Sequence, residues 1–175
     1  MIADLHEIII TIAKAKLKID KRDLEAGQLP LLLICHSIGG PITRLYTQHH
    51  PNIVAGALIL DSNIANVNYS DFLPDPDAPE FDPATVVAPD CTLEQYRKAR
   101  LDLVAMFDLK VKNAESLDRS TGPEFLPFDD SPKLVGTGAK GPWLSVVGHD
   151  PVTFAEGSFE KMGTPRSMTM KFTNA

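Results

Sequence analysis

The sequence predicts an α/β fold built on a parallel half-sheet with flanking helices. Three observations carry this expectation: two continuous apolar runs, LPLLLIC at 29–35 and IVAGALIL at 53–60, a helical segment between them, and a spacing of about 23 residues from one strand start to the next. That order and spacing suit a right-handed βαβ unit. Apolar runs without polar alternation are the mark of parallel strands buried on both faces. With 175 residues the chain is long enough to bury a core without metal or disulfide support.

Each element has its own signal. MIADLHEIIITIAKAKLK places Ile2, Leu5, Ile9 and Ile12 on one helical face, and Lys14, Lys16 and Lys18 lie toward the end where positive charge suits the helix dipole. The polar stretch KIDKRDLEAGQ ends that pattern before the first strand. GGPITRLYTQHHP reads as a helix with Pro41 tolerated in the first turn and Pro51 beyond the end, and IVAGALILDS is the second strand. From Asn63 the character changes: residues 71–90, DFLPDPDAPEFDPATVVAPD, are dense in proline and acid and read as an irregular excursion. The chain is therefore expected to form one partial domain over 1–175, with 63–140 as a lid-like insertion. Inside it, Leu93, Tyr96, Leu101, Val104 and Phe107 keep helical register after Thr92, a suitable N-cap, and Phe125 and Phe128 lie in a second polar stretch. PWLSVVGHD resumes the sheet, Pro151 to Met162 suits a short helix, and SMTMKFT reads as a last strand.

Composition narrows the functional classes. A formal net charge of −6 argues against partners such as nucleic acid or an anionic membrane surface. No apolar run approaches the roughly 20 residues that span a bilayer, and no leader-like pattern opens the chain. Cys35 and Cys91 form neither a disulfide framework nor a metal-ligand spacing, so a reducing, cytoplasmic setting is expected, with no cofactor and no metal.

The first apolar run ends in Cys35-His36-Ser37-Ile38-Gly39-Gly40. A serine at a sharp turn between a buried parallel strand and a helix is lifted above the carboxyl edge of the sheet, where open α/β sheets bind ligands. Such a turn strains the backbone, so the residues two positions away on either side must be small. Here they are Cys35 and Gly39.

This segment resembles the nucleophile elbow Gly-x-Ser-x-Gly of the α/β-hydrolase superfamily, with cysteine in place of the first glycine. The resemblance extends to the strand ending LILDS, the variable middle and the strand-to-loop sequence VVGHDPVT. It implies a partial α/β-hydrolase fold comprising strands five to eight of the family and a serine hydrolase acting on an ester-like small-molecule substrate through an acyl-enzyme. Ser37 is then the nucleophile, Asp150 the acid that orients the catalytic histidine, and the Ile38 N–H one oxyanion-hole donor. Asp61 is the alternative acid, and Asp150 also reads as the cap of the helix beginning at Pro151.

The family has four further strands and an oxyanion loop before the elbow, and its base in the loop after the last strand. Only one helix precedes the elbow here, and no histidine follows His149. Of the five histidines, His6 reads as a surface or partly buried helix residue, His36 points away from Ser37, and His49 and His50 close a helix. His149, beside the acid, is the alternative base. Two other readings remain open: an inactive or degenerate chain that associates through an exposed sheet edge, for instance with a second copy, and an acyltransferase using the same elbow.

Overall fold

The computed structural model describes residues 1–62, 65–112, 118–128 and 130–173. In chain order the first elements are α1 (Ile2–Ile12) with a π-helical turn over Ala13–Leu17, α2 (Lys21–Glu25), β1 (Leu31–Ser37), α3 (Gly39–His49) and β2 (Val54–Ser62). After a 3-10 turn at Tyr69–Phe72 come α4 (Pro83–Val86), α5 (Leu93–Phe107) and α6 (Gly122–Phe125). A second 3-10 turn at Thr137–Ala139 leads into β3 (Trp143–Val147), followed by α7 (Pro151–Met162) and α8 (Arg166–Thr173). The chain divides into two units, 1–66 with 122–148 and 67–121 with 149–175, so the described part of 63–140 contributes to both. Asn63, where the composition changes, and Asn113, where the second polar stretch begins, lie outside the described residues.

The first unit is an α/β layer. Its sheet has the order β1-β2-β3 with every pair parallel, so the carboxyl ends of the three strands share one edge. The register sets Leu32, Gly56 and Trp143 side by side, then Ile34, Leu58 and Ser145, then His36, Leu60 and Val147 on one face. The other face carries Cys35, Ile59 and Val146, and α3 packs there against β1 and β2.

α1 docks on α3 through His6, whose Nδ1 is hydrogen-bonded to the Tyr46 hydroxyl at 3.0 Å and whose ring stacks on His50 with centroids 3.8 Å apart. Ala13, two helical turns further on, is buried as well. His6 is thus a buried helix–helix contact rather than a surface residue, at 5% exposure.

The strands are not buried on both faces as their sequence suggests. Leu32, Ile34 and Trp143 are exposed, because the unit's long helices α1 and α3 stack on one another instead of dividing between the two faces.

The second unit is helical. Leu73, Tyr96, Leu103 and Met168 form its core, with Phe81, Val87 and Phe107 packed around them. α5 begins as predicted at Thr92, whose side chain accepts from Gln95 N while the Gln95 side chain accepts from Thr92 N, closing a capping box.

The expected last strand is a helix. Pro165, Met168 and Thr169 are buried at the i, i+3, i+4 spacing of a helical face, not the alternation of a strand. Asp90 accepts hydrogen bonds from the Ser167 N–H and hydroxyl at the start of α8, and Met168 completes the core. Short segments of methionine, threonine and lysine have weak intrinsic preference, so packing decides their state.

Candidate active site

β1 ends at Ser37 and α3 begins at Gly39, so the chain turns from strand to helix within two residues. Ser37 has φ +53°, a left-handed conformation that a side-chain-bearing residue adopts at a cost of about 1–2 kcal/mol. The neighbours show how the turn is held. The Ser62 hydroxyl, at the end of β2, donates to the Ser37 carbonyl at 2.5 Å. A Cβ on Gly39 would lie 2.9 Å from Cys35 Cβ, so the two small positions flanking the serine press directly on each other. A Cβ on Gly40 would lie 1.9 Å from Ser62 Oγ, which brings the first turn of α3 flush against β2.

Ile38 is the N-cap residue of α3, with φ −59° and ψ −15°. The N–H groups of a helix's first turn have no acceptor within the helix and carry its partial positive charge. A developing oxyanion beside Ser37 would meet that end of α3.

Asp61 lies on the neighbouring strand. His36 pairs with Leu60 and Ser37 with Ser62, so Asp61 is the extra residue of a bulge at the carboxyl edge and has φ +41°. Ser37, Ile38 and Asp61 are therefore gathered at one edge of the first unit.

His149 and Asp150 belong to the second unit. Asp150 Oδ1 accepts from Thr153 N at 2.8 Å and caps α7, with Pro151 in the first turn. That backbone hydrogen bond is the main cause holding its carboxyl below the usual range. The His149 ring stacks on Phe154 at 4.1 Å. Both residues line an open cavity of about 560 Å³ with Phe154, Lys161 and Met162.

His36 alternates with Cys35 and Ser37 and is exposed on the far face of the sheet. Among the described residues, no group of three His, Cys, Asp or Glu is placed to hold a metal ion. No helix among them is long and apolar enough to cross a membrane.

Two features escape sequence reasoning. Ser62 fixes the Ser37 carbonyl; the glycine pair Gly39-Gly40 announces a close approach but does not name what approaches. Arg44 and Ser62 also line a cavity of about 550 Å³ on the α3 side of the sheet, walled by Pro41, Ile59, Leu144 and Val146. Fold and site thus define an α/β chain with a three-stranded parallel sheet and a strained serine at a strand-to-helix turn. Comparison with protein-family models, with curated proteins and with solved structures gives no match.

Proposed function

We propose that the chain carries a partial α/β-hydrolase fold and that Ser37 is the nucleophile of a serine hydrolase acting on a carbonyl, ester-like small molecule. The observation that carries this reading is the left-handed Ser37 between β1 and α3, wedged by the contact of Cys35 with Gly39. A purely structural serine has no need of that strain, whereas a nucleophile gains exposure at the carboxyl edge from it.

In this reaction Ser37 Oγ adds to the carbonyl carbon as the base takes its proton, and the oxyanion accepts a hydrogen bond from the Ile38 N–H. The tetrahedral adduct expels the alcohol, which receives the proton, and water then hydrolyses the acyl-serine. Asp150 is the orienting acid of this reading, with Asp61 as the alternative acid and His149 as the alternative base.

The test is labelling of folded protein with a fluorophosphonate probe, which forms a covalent bond with activated serines. Labelling of the native chain that disappears in Ser37→Ala supports the proposal. Absence of labelling in a chain shown to be folded by circular dichroism removes it. A second reading, an inactive hydrolase-fold chain with an interaction role, is favoured by a separate observation, the uncovered apolar face of the sheet.

A further inference from the structure

The sheet face opposite α3 carries Leu32, Ile34 and Trp143 at 68, 65 and 88% exposure, with Val147 and the half-buried Leu58 and Leu60 beside them. Gly56 lies between Leu32 and Trp143, and a Cβ there would stand 3.0 Å from Leu32 Cδ1 and 3.5 Å from Trp143 Cβ. The face is therefore a shallow, mainly apolar trough with a glycine in its floor, interrupted by Ser145 and, toward its carboxyl edge, by the exposed His36. Parallel sheets are stable with helices on both faces, so what this trough lacks is a helix.

Its dimensions narrow the occupant. The five residues of β3 run about 17 Å and three strands measure about 14 Å across. That footprint of roughly 250 Å² is far below the about 800 Å² per partner of a stable interface, but it matches one helix of about 10–12 Å diameter. α1 has eleven residues and is about 17 Å long. While its His6 and Ala13 side docks inward, Ile8, Ile12 and, just beyond it, Leu17 remain more than half exposed.

We propose that a second copy of this chain covers the trough, the α1 of each copy lying on the sheet of the other in a closed two-fold dimer. The exchange engages two apolar patches per copy. Trp143 contributes about 200 Å², and the six aliphatic side chains Ile8, Ile12, Leu17, Leu32, Ile34 and Val147 about 60 Å² each at their observed exposure. With apolar atoms forming about 65% of a homodimer interface, the total reaches the about 800 Å² per partner that a stable dimer needs.

The test is light scattering coupled to size exclusion, read together with tryptophan emission, since Trp143 is the chain's single tryptophan. The native protein is expected at twice the 19.1 kDa chain mass, with emission that shifts to shorter wavelength as concentration rises. Trp143→Ser removes the trough and Ile8→Glu with Ile12→Glu removes the helix stripe. All three positions are exposed, so each variant is expected to stay folded by circular dichroism and to run as a monomer. A monomeric native chain, an open-ended assembly, or a dimer that survives either variant would each overturn the proposal.

Discussion

At the residue scale the turn at Ser37 is set by contacts of single atoms. A left-handed backbone is free for glycine and strained for alanine. Ser37→Gly is therefore expected to melt about 2–4 °C above Ser37→Ala, the shift of about 1 kcal/mol in a chain of this size, with both variants unlabelled by fluorophosphonate. Equal melting temperatures would show that the strain is not borne at Ser37. Gly40 is the sharper test, because the added methyl of Gly40→Ala overlaps Ser62 Oγ at 1.9 Å. A loss of about 1–3 kcal/mol is expected in denaturant unfolding, and most of it should return when Ser62→Gly is added to make room. The spacing Cys35-x-Ser37-x-Gly39 was legible in the chain as a need for small neighbours. That Gly40 needs to be small because of Ser62 was not, since only strand pairing brings residues 40 and 62 together.

At the element scale, one hydrogen bond joins Asp150 to α7, and this separates its capping from the acid role proposed for it. Asparagine caps a helix as well as aspartate does, but it cannot stabilise an imidazolium. Asp150→Asn is expected to keep the melting temperature while lowering the rate of probe labelling, whereas Asp150→Ala lowers both. Unchanged labelling in Asp150→Asn would leave the residue as a cap alone and move the acid role to Asp61.

The packing of α1 on α3 has its own pH dependence. Burial is the first cause holding the His50 imidazole below its ordinary value, followed by repulsion from His6 and His49; Glu25 opposes the shift and Lys21 adds to it. The folded state thus favours neutral His50. Stability is complete above the unfolded value of about 6.5 and falls as pH drops from there through the lowered folded value. Thermal melts from pH 7.5 to 5 are expected to show that decline, and His50→Gln should flatten it. Helices α3, α5 and α7 could be read from periodicity and caps because those signals are local. The 167–173 segment misled because its short run of methionine and threonine suits either state, and Asp90 with the Leu73, Tyr96 and Leu103 core selected the helix.

At the scale of the whole molecule, protection should follow the layering of the sheet. β2 is hydrogen-bonded on both sides, while β1 and β3 are its edges and every residue of β3 is exposed. Amide exchange is expected to be slowest in β2 and distinctly faster in β3, and equal rates would show that β3 is shielded in solution. By itself the sequence determined the class of this protein: apolar runs at βαβ spacing dictate parallel strands, and the small residues around Ser37 dictate a tight strand-to-helix turn. These are properties of neighbours along the chain. Which faces are covered, which residues brace the turn at Ser37 and how the chain divides into units were decided only by tertiary structure. The apolar runs signal two buried faces, yet whether a helix lies over each depends on where α1 docks, and α1 chose the His50 and Tyr46 side of α3 over the trough of Leu32, Ile34 and Trp143. Burial is a property of packing between distant segments, and no local pattern encodes which partner a hydrophobic face will find.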